Sequence, residues 1–293
     1  MEVISPTVII PNSEYIYRDA LIDSGSFGDV YKGRWHSIIR GNIISVALKI
    51  IRSPEANEKE IMKEISYLKH IDHPNIMKLY LYFKTTENQF CMCLEYADCG
   101  SLYDFLHKSN CCISDCWKLE KMRQLSAGIR HLHSKKIIHR DLKSKNLLLF
   151  DNFKILKIGD FGKVKQLSTI NTEMSGTFIY MAPEVCDPEG KGNYTEKCDI
   201  FSFGIIFWEV LSRKKPFHEF KDMHEFAIQN KVLRGDRPNL NDFTIGTFLN
   251  ININELIKMC WHEDPEKRPN IDYIDNILNN YIYLYGTIVP QHI

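Results

Sequence analysis

The stretch from His139 to Gly162 constrains this chain most. It reads His139-Arg140-Asp141-Leu142-Lys143-Ser144-Lys145-Asn146, then a short apolar run, then Asp160-Phe161-Gly162. Two strand-like segments, Leu147–Phe150 and Ile155–Ile158, are set between polar groups, so the stretch folds back as a ribbon with chemistry at its ends. Asp and Asn are usually turn formers in loops. Here their oxygens are also the hard ligands that suit Mg²⁺. A further Asp beside them is placed to orient a hydroxyl. Such parts suit phosphoryl transfer, where catalysis is mostly positioning and charge neutralisation.

The chain has 293 residues, enough for one large domain or two lobes. A hydrophobic fraction of 44% argues against whole-chain disorder. Lys+Arg and Asp+Glu are both 37, so the balance favours no nucleic acid or acidic membrane surface as partner. Nine cysteines are an odd number, and Met1 to Pro6 has no basic region of a secretory signal, so reduced cytosolic thiols and a cytoplasmic location are expected. Glu2 does not fit an N-myristoylation motif. The run Ile200 to Leu211 is too short to span a bilayer and contains Ser202 and Glu209. Asn193-Tyr194-Thr195 fits a glycosylation sequon, which a cytosolic chain would not use.

No internal repeat or low-complexity linker is present. Residues Ala20 to Tyr96 favour strands with one helix. A glycine-bearing turn, Asp23-Ser24-Gly25-Ser26-Phe27-Gly28, joins two strands; Ile43 to Ile51 is a third. Ser53-Pro54-Glu55 starts a helix that runs to about Lys69, with Ile61, Ile65 and Leu68 at helical spacing. Ile76–Phe83 and Gln89–Leu94 are expected strands. Beyond Ala97-Asp98-Cys99-Gly100 the pattern turns helical. Leu119, Met122, Leu125, Ile129 and Leu132 form one stripe, and Asp199 to Leu211 is apolar on nearly every face, as in a buried helix. Further helices are expected near Met223–Asn230, Asn254–Cys260 and Ile271–Leu278. A strand-rich part and a helical part meeting near residues 95–100 predict two lobes with a ligand cleft between them.

The ordered pair of motifs resembles the catalytic and metal-binding loops of protein kinases. The resemblance covers roughly residues 18 to 282. It implies an α+β bilobal fold, with a strand-rich N-lobe over 18–96 and a mostly helical C-lobe over 97–282. These are flanked by an extension, 1–17, and a tail, 283–293. Within that frame Ser24 to Val30 resembles the glycine-rich loop over ATP phosphates, except that Asp23 stands where the family has its first glycine. Ile22, Gly25, Ser26, Phe27, Gly28 and Val30 are thereby implied around the nucleotide. Val30, Ala47 and Leu148 match the residues that sandwich adenine. Leu94 matches the gatekeeper, and Glu95 and Ala97 match the hinge whose backbone pairs with adenine. Lys49 resembles the lysine that holds the α- and β-phosphates. Glu64 is its implied partner, with Glu60 as the alternative on the same helix. Asp141 is implied as the proton acceptor and Lys143 as the neutraliser of the transferred phosphoryl group. Asn146 and Asp160 are implied as ligands of Mg²⁺, with Mn²⁺ as a substitute.

Asp160 to Glu184 matches the activation segment, whose Glu184 is implied to pair with Arg268. Arg140 resembles a socket for a phosphorylated loop residue, with Ser168, Thr169, Thr172, Ser175 and Thr177 as candidates; for each, an ordinary polar loop residue is the alternative. Asp199 resembles the aspartate that anchors the catalytic loop's backbone, and it also fits a plain helix cap. Leu68, Leu79, His139 and Phe161 match the family's apolar column, or are simply core. Cys111-Cys112 with Cys116 lacks a fourth ligand for zinc, and Cys91 and Cys93 read as core. Lys143 together with Thr177 accompanies Ser/Thr specificity in the family, dual specificity being the margin. Asp141 to Asn146, Tyr180-Met181-Ala182-Pro183-Glu184 and Cys260-Trp261 resemble the tyrosine-kinase-like group that includes Raf and mixed-lineage kinases. The implied partners are a protein substrate, ATP, and a regulatory partner or upstream kinase. A pseudokinase scaffold, supported by Asp23 alone, and a metabolic small-molecule kinase are the rival classes.

Overall fold

The computed structural model describes residues 8–10, 14–25, 28–37, 41–52, 58–162, 165–166, 178–185, 195–220 and 223–288. The chain divides into two compact units, Met1–Asp98 and Cys99–Ile293.

The first unit is an antiparallel six-stranded sheet with one helix. Its strands are β1 Val8–Ile10, β2 Glu14–Gly25, β3 Gly28–Ser37, β4 Asn42–Ile51, β5 Leu79–Lys84 and β6 Phe90–Glu95, in the order β1-β2-β3-β4-β6-β5. One face buries Ile16, Trp35, Val46, Leu48, Ile50, Cys91 and Cys93 as a single cluster. Helix α1, Glu58–Lys69, buries Ile61, Ile65 and Leu68. These positions share one face because a helix returns to the same side every three to four residues. The expected helix start at Ser53-Pro54-Glu55 lies outside the described residues.

One expectation for this unit needs correction. The strand expected from Ile76 begins at Leu79, because Ile76 and Met77 are buried in a turn closed by the Ile76 amide on the His73 carbonyl at 3.1 Å. A short apolar run does not distinguish a buried turn from a strand. The expected extension at 1–17 contributes β1 and the start of β2, which pair from Val8 opposite Ile16 to Ile10 opposite Glu14.

The second unit is built on α2 Leu102–Lys108, α3 Asp115–Ser134, α4 Lys197–Ser212, α5 Glu225–Leu233, α6 Thr247–Cys260 and α7 Ile271–Ile288. The stripe Leu119, Met122, Leu125, Ile129 and Leu132 of α3 is fully buried, and α3 packs on α7. Helix α4 is buried from Cys198 to Leu211. The expected helices near 223, 254 and 271 are all present, with α6 and α7 longer than their apolar repeats indicated. Helix α2 was not anticipated, because seven residues are too few to display a stripe. Ser101 caps it by accepting the Asp104 amide at 3.1 Å.

Strands β7 Ile137–Ile138, β8 Leu147–Phe150, β9 Ile155–Ile158 and β10 Lys165–Gln166 form two small antiparallel ribbons, β10 with β7 and β8 with β9. The β8–β9 turn runs through three consecutive left-handed residues, Asp151, Asn152 and Phe153, with φ of 50°, 51° and 64°. Such a conformation persists only when its surroundings enforce it. Helix α3 does so. Trp117 donates to the Phe153 carbonyl at 3.0 Å, and Gln124 donates to the Lys154 carbonyl at 3.0 Å while accepting the Leu156 amide at 2.6 Å. Lys121 also donates to the Lys154 carbonyl.

Arg268 closes the unit. Its guanidinium makes a two-pronged bond to Glu184, at 2.6 and 2.8 Å. It also donates to the carbonyls of His262 at 2.8 Å, Lys197 at 3.0 Å and Glu263 at 3.2 Å. The Arg268 side chain has no exposed surface, so every donor must be used inside the protein.

Two stability predictions arise here. Arg268→Met strands the Glu184 carboxylate and three carbonyls, and unfolding in denaturant should show a loss of roughly 3–5 kcal/mol. Arg268→Lys should recover only part of it, because an ammonium cannot reproduce the fork. Lys121 is held well below its ordinary 10.5, at about 8, chiefly by burial and against the pull of Glu120. The folded protein therefore releases this proton near pH 8 and the unfolded chain near 10.5, so stability rises with pH between them. Relative to Lys121→Met, the wild type should gain about 3 kcal/mol across that window. A stability difference flat with pH would contradict the burial of a charged Lys121.

Candidate active site

The second unit's part of the site is assembled on one carboxylate. Asp199 lies in the first turn of α4 and is fully buried. The helix cap is Glu196, without a side-chain bond, so the plain capping role considered for Asp199 is corrected. Its oxygens instead face the loop at 139–146. Oδ2 accepts the His139 amide and His133 Nε2–H, and Oδ1 accepts the Arg140 amide, each at 2.9 Å. Burial pushes the Asp199 carboxyl up, but the bond to His133 and the adjacent imidazoles outweigh it, and the group stays below its ordinary range. Arg140, whose own amide is anchored, sits at φ 68°.

His139 links this loop to the far end of the ribbon. Its Nδ1 accepts the Asp141 amide at 3.4 Å, so the ring hydrogen is on Nε2, which donates to the Gly159 carbonyl at 3.0 Å. Phe161 meets the same imidazole edge-on with centroids 5.2 Å apart.

Asp141 is 6% exposed and gripped from two sides. Lys143 Nζ donates to its Oδ2 at 2.9 Å. Asn146 Nδ2 donates to the same Oδ2 at 3.1 Å and to the Asp141 carbonyl at 2.8 Å. With its nitrogen so committed, Asn146 offers Oδ1 to a cation. Its carbonyl accepts the Gly159 amide at 2.8 Å, which closes the mouth of the β8–β9 ribbon next to Asp160. Asp160 is exposed at φ 53°, so its carboxylate stands outside the apolar core. An amide oxygen and a carboxylate are hard donors that fit Mg²⁺ or a similar divalent ion.

Sequence reasoning missed a buried network beneath the loop. Glu209 is fully buried and accepts from His107 Nε2 at 2.8 Å, Ser144 Oγ at 2.9 Å and Tyr180 OH at 2.9 Å. Burial, then the Glu209 charge, raises the Tyr180 phenol well above its ordinary range, so it stays a donor. Ser202 Oγ adds a bond to the Tyr180 carbonyl at 2.8 Å. A signal existed: Glu209 is an acid inside the apolar run Ile200 to Leu211, and a buried carboxylate requires donors.

The first unit carries the remaining positions. Lys49 on β4 meets Glu64 of α1 at 3.0 Å, with side chains 14% and 10% exposed. Of the two acids considered, Glu64 thus makes the pair. Gly25 and Gly28 face each other at the end of the β2–β3 hairpin. A Cβ on Gly28, at φ 151°, would collide with the Ile50 carbonyl, so only glycine fits there. Asp23 is exposed and accepts the Ser24 amide at 2.9 Å. Ala47 and Leu94 are buried, Val30 and Ala97 half-buried, and Ile22 half exposed. The Glu95 amide donates to the Lys78 carbonyl at 3.0 Å, so the expected backbone pairing would fall to its carbonyl. In the second unit Leu148 lies on β8 and bridges Ser101. Ser26, Phe27, Ser168, Thr169, Thr172, Ser175 and Thr177 lie outside the described residues.

The protein kinase domain family matches residues 17–281. Mitogen-activated protein kinase kinase kinase 7 of Homo sapiens is 37% identical over 300 residues, covering 98% of this chain and 46% of that protein. The protein of the same name in Drosophila melanogaster is 38% identical over 268 residues, covering 90% of this chain and 37% of its own length. A probable serine/threonine-protein kinase of Dictyostelium discoideum is 37% identical over 265 residues, covering 88% of this chain and 27% of its own. The chain thus spans about half the length, or less, of these relatives. Family membership brings with it the use of ATP and a divalent metal. The chain belongs to the protein kinase family.

Proposed function

We propose that this chain is a Ser/Thr protein kinase that moves the γ-phosphoryl group of ATP to a protein hydroxyl, with Mg²⁺ as the working cation and Mn²⁺ as a substitute. The observation that carries the proposal is Asp141, held between Lys143 and Asn146 on a loop whose amides are fixed by Asp199. In this reading Asp141 orients the acceptor hydroxyl and takes its proton. The hydroxyl oxygen bonds to the γ-phosphorus as the bond to the β–γ bridging oxygen breaks, and ADP departs. Lys143 offsets charge on the group in flight. Asn146 and Asp160 would hold the cation, which would offset the charge of the phosphates. Lys49, aimed by Glu64, takes the α- and β-phosphates.

The nucleotide's remaining contacts are assigned to Ile22, Gly25, Ser26, Phe27, Gly28, Val30, Ala47, Leu94, Glu95, Ala97 and Leu148. Residues 18–96 and 97–282 form the kinase lobes, flanked by 1–17 and 283–293. Ser/Thr choice rests on Lys143 with Thr177. Activation rests on a phosphate at Ser168, Thr169, Thr172, Ser175 or Thr177, read by Arg140 and placed by an upstream kinase. The eight described cysteines are all unbridged, which supports a reducing, cytoplasmic setting. No described helix is long and apolar enough to cross a membrane.

Asp141→Asn tests the core of this reading. Turnover with Mg-ATP and a protein acceptor should fall by at least about 10²–10³, with an unchanged melting temperature; an undiminished rate overturns the assignment. Asp23→Gly removes a carboxylate from the phosphate side of the hairpin. It should lower the KM for ATP a few-fold and leave kcat alone, since water and the cation screen an exposed charge. A KM that stays put or rises shows Asp23 to be neutral.

A further inference from the structure

Lys145 lies in the tight turn Ser144–Asn146, four residues after Asp141. Lys215 lies just beyond α4. Both are exposed. Their ammonium groups converge on one ring: Lys145 Nζ is 5.1 Å and Lys215 Nζ 5.7 Å from the Tyr103 centroid. The ring is held in place. Tyr103 is half-buried on α2, which packs on that turn, and His107 lies against it at 4.7 Å while bonded to buried Glu209. A fixed aromatic face is a favourable seat for cations.

The neighbouring cations are engaged within the protein. Lys143 is on Asp141, Lys214 is on Asp242 at 2.6 Å, and Arg213 donates to the carbonyls of Cys111 and Ser109, each at 2.7 Å. Asp104 of α2 feels Lys145, but it is bonded to Lys108 at 2.7 Å and to Ser101 at 2.9 Å. Among the described residues, neither Lys145 nor Lys215 has a carboxylate in ion-pair reach. In a chain of zero net charge, two such ammonium groups beside the catalytic loop are a local excess.

We propose that Lys145 and Lys215, seated on Tyr103, form a specificity-determining subsite for an acidic side chain of the polypeptide substrate, two or three residues from the accepting hydroxyl. The proposal rests on the kinase reading above. An extended peptide advances about 3.3 Å per residue, so that side chain reaches roughly 7–10 Å from Asp141. This is the scale of a four-residue step through a tight turn. A carboxylate arriving there meets both ammonium groups together.

The test is steady-state kinetics on Ser peptides that differ only in Glu, Ala or Lys at positions two and three on either side of the serine. For the wild type, kcat/KM should favour the best Glu peptide over its Ala counterpart about tenfold, mainly through KM, and the preference should shrink in ~0.5 M salt. In Lys145→Ala/Lys215→Ala the ratio should fall close to one. In Lys145→Glu/Lys215→Glu it should invert in favour of the Lys peptide. Turnover without a Glu preference, or a preference that survives both double variants, overturns the subsite alone. Failure of the wild type to phosphorylate any peptide or a general protein acceptor overturns the kinase reading and the subsite with it.

Discussion

The second unit depends on a carboxylate that never meets solvent. Asp199 is taken into the protein on the most apolar helix of the chain, and its charge is tolerated because two loop amides and an imidazole point at it. Such a group cannot be bypassed: a loop that swings away leaves an uncompensated ion in a low-dielectric interior. The backbone at His139 and Arg140 is therefore fixed by the cost of the alternative. Asp141, Lys143 and Asn146 inherit that fixity, which is what charge-stabilising chemistry needs.

Glu209, three turns along the same helix, repeats the device with different donors. Ser144 comes from the loop at 139–146, Tyr180 from the turn Phe178–Tyr180 and His107 from α2. The helix presents two acids in otherwise apolar surroundings, and each gathers segments that share no secondary structure with it. The ribbon is held separately. The Gly159 amide on the Asn146 carbonyl closes its mouth, and α3 grips its strained turn. Loop and ribbon are thus set by buried polar bonds, while apolar packing supplies the platform beneath.

How much of this was legible follows from the range of the interactions. Strands β8 and β9 matched their expected bounds, since their apolar runs are short and marked off by turn residues. The helical stripes of α1 and α3 were equally plain. Lys49 and Glu64 could be matched because helix register leaves few candidates. The buried turn at Ile76 looked like strand because burial without periodicity has no signature. Strand β1 was hidden because three residues become a strand only when β2 pairs with them. The Glu209 network joins positions 29, 65 and 102 residues apart. No local pattern reports that spacing, and the only trace was an acid out of place.

The fork between Glu184 and Arg268 has a consequence for how the chain is made. The two residues are 84 positions apart. At about 5–20 residues per second a ribosome needs roughly 4–17 s to deliver the arginine after the glutamate. For about the last two thirds of that interval α4, nearly all of it apolar, has been synthesised but cannot close against its final partner. The nascent protein then exposes apolar surface that chaperones can shelter, and Glu184 is among the last residues to be locked in place.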